Sequence, residues 1–144
     1  MSGAHALATM LLFTGAAHFV PDSVTVMPSH GDLAAMVPPF VPLPHLMIYA
    51  TGVLELLGAV GLVVATTRTT AGFGLAALFV LMFPANVYAA IEDVPLNDDP
   101  ATPLWFRVPE QILFITVALW AAKRPPRRHS PGRCMRRQAD TVNA

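Results

Sequence analysis

The fold is decided by residues 46–66, which read LMIYATGVLELLGAVGLVVAT and contain a single Asp, Glu, Lys or Arg side chain, Glu55. An α-helix needs about 20 predominantly apolar residues to cross about 30 Å of hydrocarbon, and this run has that length. Its apolar residues do not alternate with polar ones, as the strands of a membrane barrel do. Backbone groups in lipid must also be hydrogen-bonded within the segment. The run therefore predicts a membrane-spanning helix.

Three further apolar runs extend this pattern along the chain. The predicted spans are residues 4–20, 46–66, 71–91 and 104–122. Of the 144 residues, 54% are hydrophobic and only 12% are charged, which is too little polar material to coat a water-soluble globule. Because no Lys or Arg precedes the first run, we expect a retained span rather than a signal peptide. The predicted fold is an all-α integral membrane protein, a four-transmembrane-helix bundle formed by residues 1–122.

A proline-rich segment, residues 21–45, separates the first two runs. Its six prolines exclude one regular helix across the segment. Asp32 is suited to start a short helical turn over residues 32–36. Apolar residues among the prolines, such as Phe40, predict that this external loop packs on the outer face of the bundle. The alternative is a proline-stiffened connector that is exposed to water.

Basic residues at the ends of the spans predict the orientation. Arg68 joins the second and third spans, and Lys123 follows the fourth, so the positive-inside rule assigns both to the cytoplasmic side. Both termini are then cytoplasmic, and the proline-rich loop faces the opposite side. Residues 123–144 form a basic tail, for which we predict disorder and contact with anionic lipid rather than with nucleic acid.

Polar residues within the apolar runs are the candidates for a site, because such groups are costly in hydrocarbon unless they find partners inside a bundle. The candidate ligand-binding residues are His18, Glu55, Asn86, Arg107 and Gln111. At about 1.5 Å of rise per residue, all of them fall in the outer half of their spans. The sequence therefore predicts a polar pocket beneath the proline-rich loop and no continuous polar channel.

Glu55 is the most informative of these residues. Gly52 and Gly58 lie three residues to either side of it and permit the close approach of a neighbouring helix. Enclosed in this way, Glu55 is either protonated or paired with His18 or Arg107. A purely structural role, as a hydrogen-bonding link between helices, is the competing interpretation.

The third and fourth runs contain a second set of polar residues. Pro84 removes a helical hydrogen bond and leaves the carbonyl of Val80 without its donor. The resulting kink either points Asn86 into the pocket or is repaired by Asn86 and a neighbouring helix. Arg107 and Gln111, four residues apart, share one helical face. Arg107 is either an interfacial anchor or a cation for an anionic or carbonyl-bearing headgroup.

The sequence gives little support for a metal site or a dithiol redox centre. His18, His30 and His45 fall on one side of the membrane, but no two of them have the tight spacing of metal ligands, so we predict no metal site. The single cysteine, Cys134, excludes a dithiol redox centre within this chain.

Several short motifs, in this order, resemble the DoxX-like family of small bacterial four-helix membrane proteins over residues 8–122. They are Gly15-Ala16-Ala17-His18-Phe19, Thr51 to Gly58, Phe83-Pro84-Ala85-Asn86 and Arg107-Val108-Pro109-Glu110-Gln111. The resemblance implies a multi-pass protein of the bacterial cytoplasmic (inner) membrane. It also implies an association with redox or oxidative-stress assemblies.

Two functions from different classes follow as expectations. The first is a binding or accessory subunit of such an assembly, with an outer-leaflet pocket for quinone or a lipid headgroup. Its partners would be membrane lipids, proteins of a redox complex or further copies of the chain. The alternative is a membrane enzyme in which Glu55 and His18 are the catalytic acid and base on an isoprenoid-like or other lipophilic substrate. A mainly structural helper is a third possibility.

Overall fold

The computed structural model describes residues 3–24, 28–96 and 99–123. These residues form five α-helices and confirm the all-α class. The helices are α1 (Gly3–Ala17), α2 (His30–Ala35), α3 (Pro44–Val63), α4 (Arg68–Ile91) and α5 (Leu104–Lys123). The predicted basic tail lies, apart from its first residue, outside the described residues.

Three helices, α3, α4 and α5, are long and apolar enough to cross a membrane, with 20, 24 and 20 residues. The first helix is apolar but shorter. Its 15 residues correspond to about 22 Å, less than the about 30 Å of a hydrocarbon core. The four predicted spans therefore correspond to three candidate spans and one shorter apolar helix.

The first helix ends at Ala17, three residues before the predicted end of its span. Its last turn tightens, because the backbone N–H groups of Phe19 and Val20 bond carbonyls three residues back instead of four. The His18 ring donates from Nδ1 to the Thr14 carbonyl at 2.8 Å, so a side chain satisfies one of the free carbonyls of the helix end. Pro21 then stops the helix.

Small residues bring the helices together. The most extensive pairings are α1 with α3 and α4 with α5, and α3 joins the two pairs through α4. Ala59, Ala89 and Ala118 are almost completely buried in these contacts. A Cβ added to Gly72 would lie 2.6 Å from the backbone oxygen of Ala118, so α4 and α5 approach through their main chains at this point.

The proline-rich loop contains the short helix α2. Ser29 caps this helix: its hydroxyl accepts from the Asp32 N–H at 3.1 Å, and its own N–H donates to the Asp32 carboxylate at 2.9 Å. The helix therefore begins at His30, two residues before the start predicted at Asp32. Met36 is buried after its end, whereas Phe40, for which the sequence predicts packing on the bundle, is 78% exposed.

Candidate functional site

The buried carboxyl group of α3 is bonded to α1. Glu55 is 4% exposed, and the Thr14 hydroxyl donates to its Oε2 at 2.8 Å. Gly52, one turn earlier, makes this proximity feasible, because a Cβ there would lie 2.6 Å from the Cβ of His18. The hydrogen-bonding partner of Glu55 is thus Thr14, which the sequence analysis did not single out. The available signal was that Thr14 lies one helical turn before His18.

The same threonine orients His18. The Thr14 carbonyl can only accept, so Nδ1 of His18 carries a hydrogen and donates to it at 2.8 Å. In the neutral ring, Nε2 is then an acceptor. Both His18 and Glu55 are therefore hydrogen-bonded to Thr14, and the two groups belong to one cluster on α1 and α3.

A second polar cluster joins α4 to α5. Arg107 Nη1 donates to Asn86 Oδ1 at 3.1 Å, and Asn86 Nδ2 donates to Gln111 Oε1 at 3.3 Å. Gln111 Nε2 donates in turn to the backbone carbonyl of Phe79. Arg107 Nε donates to the carbonyl of Thr102 at 2.9 Å. The three predicted residues of this cluster therefore form one network that ends on main-chain carbonyls.

A side-chain donor from α5 reaches α4 one residue before the carbonyl that Pro84 frees. Pro84 leaves the Val80 carbonyl without its helical donor, and the Gln111 amide bonds the neighbouring carbonyl of Phe79. The reason is the direction of the helix face. Phe79 is 4% exposed and lies in the core near α5, whereas Val80 is 57% exposed and faces away.

Arg107 points into the protein rather than outward as an interfacial anchor. It is 6% exposed, and two of its three guanidinium nitrogens are hydrogen-bonded. Its Nη2 is buried and has no hydrogen-bond partner among the described residues. The two hydrogen bonds offset part of the cost of burying this charge.

Two cavities open beside these clusters. The larger, of about 500 Å³, lies between the proline-rich loop, α3 and α4, and His18, Thr51 and Asn86 are its polar lining residues. The smaller, of about 80 Å³, is lined by Glu55 and Gln111 together with apolar side chains and Thr14. Of the five predicted residues, His18 and Asn86 thus share one cavity and Glu55 and Gln111 the other. Arg107 lines neither of them.

The comparison with protein families covers most of the chain. Residues 7–122 match the model of a domain of unknown function, DUF8561. The chain belongs to the DUF8561 family. No curated protein and no solved structure matches it.

Because the chain belongs to DUF8561, the predicted assignment to the DoxX-like family is wrong. The motifs that suggested it are short and have local physical causes. Gly52 stands where a side chain would strike His18, and Gly58 where one would strike Leu75. Glycines of this kind, and a proline within an apolar helix, satisfy packing needs that recur in unrelated membrane bundles.

The sequence analysis also missed a histidine pair in this DUF8561 chain. His30 Nδ1 donates to the His18 carbonyl at 2.8 Å, and His30 Nε2 lies 3.0 Å from Nδ1 of His45. The His30 ring stacks on Tyr49 of α3 with centroids 4.1 Å apart. These contacts fasten the start of α2 above the larger cavity. The two histidines are 15 residues apart, a separation that does not place them on one helical face, so spacing gave no signal.

Asp22 lies close to this pair on the proline-rich loop. Its Oδ1 accepts from the Gly31 N–H at 2.9 Å. The backbone hydrogen bond from Gly31, followed by one from the Ser29 side chain, lowers the pKa of the Asp22 carboxyl below its ordinary 3.8. In the described part of this DUF8561 chain, no three His, Cys, Asp or Glu side chains are grouped so as to hold a metal ion.

Proposed function

We propose that this DUF8561 chain is a multi-pass membrane protein that binds a lipophilic molecule in the cavity between the proline-rich loop, α3 and α4. The observation that carries the proposal is the cavity itself, of about 500 Å³. Small-molecule sites are typically about 300–1,000 Å³, mostly apolar, with a few polar groups that fix orientation. This cavity has such a lining.

In the proposed topology, α1 crosses as a short span and both termini are cytoplasmic. Arg68 and Lys123 support this orientation, because they stand at the ends of α4 and α5 that the positive-inside rule assigns to the cytoplasm. The cavity then opens in the outer leaflet. A bacterial inner membrane was implied by the family resemblance alone, so the proposal extends only to the orientation.

The polar lining selects the chemistry of the ligand. In its neutral form the His18 ring presents Nε2 as an acceptor, since Nδ1 is bonded to Thr14. Asn86 uses one Nδ2 hydrogen on Gln111 and retains the other as a donor. An acceptor and a donor on one cavity suit a ligand that carries a hydroxyl group beside a second oxygen. A quinol or a hydroxylated lipid headgroup has this pattern, whereas an oxidised quinone lacks the hydroxyl.

Two further candidate residues, Glu55 and Gln111, line the smaller cavity and have partners within the protein. Gln111 Nε2 bonds the Phe79 carbonyl, and Glu55 accepts from Thr14 at the smaller cavity. The enzyme alternative required Glu55 and His18 to act on one substrate. Because they line different cavities, the geometry favours binding over catalysis. The link to a redox assembly depended on the DoxX-like resemblance and is not proposed.

The proposal is tested by blocking the cavity. Ala85 lines it, and Ala85→Phe would fill part of its volume. Ala77→Phe is the matched control, because Ala77 is exposed on the same helix and lines none of the cavities described above. Each variant is purified in mild detergent, and mass spectrometry identifies and quantifies the lipophiles that remain bound.

Wild type and Ala77→Phe are expected to retain a hydroxyl-bearing lipophile near one molecule per chain. Ala85→Phe is expected to lose most of it. Equal retention by all three proteins, or a wild-type protein that carries only bulk phospholipid, would contradict the proposal.

A further inference from the structure

A third cavity continues the larger one along the seam between α3 and α4. It measures about 230 Å³ and shares Leu54 and Leu78 with the larger cavity. From there it extends past Gly74 to Thr70. This cavity and the larger one together form one groove, which we call the seam groove, with His18, Thr51 and Asn86 at its outer end and Thr70 at its inner end.

The seam groove is longer than one leaflet is thick. Asn86 and Thr70 are 16 residues apart on α4, which corresponds to about 24 Å. Half of a hydrocarbon core measures about 15 Å. Asn86 already lies five residues inside the outer end of α4, and Thr70 lies two residues from the inner end. The groove therefore crosses the middle of the membrane.

Gly74 gives the seam groove its depth at the inner end. A Cβ built on Gly74 would meet nothing within 4 Å, whereas one on Gly72 would meet the Ala118 oxygen at 2.6 Å. Packing inside the chain thus requires a glycine at Gly72 but not at Gly74. Glycine also disfavours the helical state relative to alanine. The missing side chain at Gly74 is best explained by an occupant that lies against the helix from outside the chain.

We propose that the ligand carries a single long hydrocarbon tail, of the polyprenyl type, which lies in the seam groove and passes the membrane midplane beside Gly74. This inference rests on the proposed function and specifies its ligand class. An ordinary glycerophospholipid fits poorly, because its acyl chains end near the midplane. The apolar side chains of the groove, such as Leu57 on α3 and Leu75 on α4, suit such a tail. The polar residues at the outer end hold its headgroup.

Two probes separate the tail from the headgroup. One is a long-chain polyprenyl quinol, and the other is the same headgroup with its tail truncated to one prenyl unit. Binding of each is measured in lipid nanodiscs to wild type, Gly74→Phe and the control Ala77→Phe. Gly74→Ala is included as a smaller change that preserves the fold.

Wild type and Ala77→Phe are expected to bind the long-tailed probe more tightly than the truncated one. Gly74→Phe is expected to weaken the long-tailed probe about tenfold, through loss of buried tail surface, and to leave the truncated probe unchanged. Unchanged truncated binding also shows that the variant is folded. Gly74→Ala is expected to show a smaller shift in the same direction.

Three results would overturn the inference in distinguishable ways. Equal binding of both probes by wild type would contradict the tail and leave the headgroup site intact. No binding of either probe by wild type would contradict a polyprenyl quinol ligand, whereas the lipophiles retained by the purified protein test the proposed function separately. If Gly74→Phe changes the oligomeric state and not the tail preference, a second copy of this chain covers the seam groove.

Discussion

Gln111 of α5 donates its side-chain amide to the backbone carbonyl of Phe79, on the turn of α4 that precedes Pro84. This bond joins two candidate spans at a place where proline has weakened the hydrogen bonding of one of them. Asn86, on the far side of Pro84, bonds the same glutamine. Gln111 therefore connects the segments of α4 before and after the proline.

Removal of this amide should destabilise the bundle. Gln111→Leu removes the bond to the Phe79 carbonyl and leaves an Asn86 hydrogen without its acceptor, which should lower the free energy of unfolding by about 1–3 kcal/mol. Thr116→Val is the control, since Thr116 is exposed on the same helix. Denaturant unfolding in detergent measures both. Equal stability of the two variants would show that the α4 to α5 network contributes little.

The bond between Thr14 and Glu55 should be measurable as a coupling between α1 and α3. Thr14→Val leaves the buried carboxyl without its donor, and we expect a loss of about 1–3 kcal/mol. In Thr9→Val the lost bond is only to the His5 carbonyl within α1, so that variant should be nearly neutral. A double-mutant cycle with Glu55→Leu, which removes the acceptor, should give a coupling of about 1 kcal/mol. Strict additivity would mean that the bond is not formed in the membrane.

Two glycines on α4 should respond oppositely to the same substitution. Gly72→Ala places a methyl group 2.6 Å from the Ala118 oxygen, and the strain should cost about 1–3 kcal/mol. Gly74→Ala meets no neighbouring atom and should stabilise the helix by up to about 1 kcal/mol. Thermal unfolding of the pair is the measurement. Similar effects at both positions would contradict the described contact of α4 with α5.

The proline-rich loop should lose stability in acid. Because hydrogen bonds from Gly31 and Ser29 lower the pKa of Asp22 below its ordinary 3.8, the folded loop favours the ionised carboxylate. This contribution is fully present above the ordinary pKa and is lost as the pH falls through the lowered one. Amide exchange of Gly31, corrected for the intrinsic pH dependence of exchange, should therefore accelerate at low pH. In Asp22→Asn, protection should be weaker and should no longer change over that range.

The helices could be predicted from local sequence properties. The site was difficult to predict, because it depends on tertiary contacts. The length and hydropathy of residues 46–66 are sufficient for α3, which extends over Pro44–Val63. The end of α1 was misjudged, because its last turn depends on a side-chain bond from His18 to Thr14. The cost of polar groups in lipid identified five candidate residues in the spans, of which all but Asn86 are buried.

What the sequence could not give was the partners and cavities of those residues. Thr14 is an ordinary residue in an apolar run, and only the crossing of α1 with α3 brings its hydroxyl to Glu55. His30 and His45 meet because the loop folds back along α3. The family resemblance failed for a related reason. Glycines that helix packing requires also occur in unrelated proteins, so they are not evidence of common ancestry.

Photo-crosslinking from inside the larger cavity tests the central claim most directly. A photoreactive amino acid replaces Ala85, or Ala77 as the control, and the crosslinked mass is identified after illumination of the protein in native membranes. The account predicts that position 85 captures a long-tailed, hydroxyl-bearing lipophile that position 77 does not. Capture of the same bulk phospholipids at both positions, or of protein alone at position 85, would contradict it.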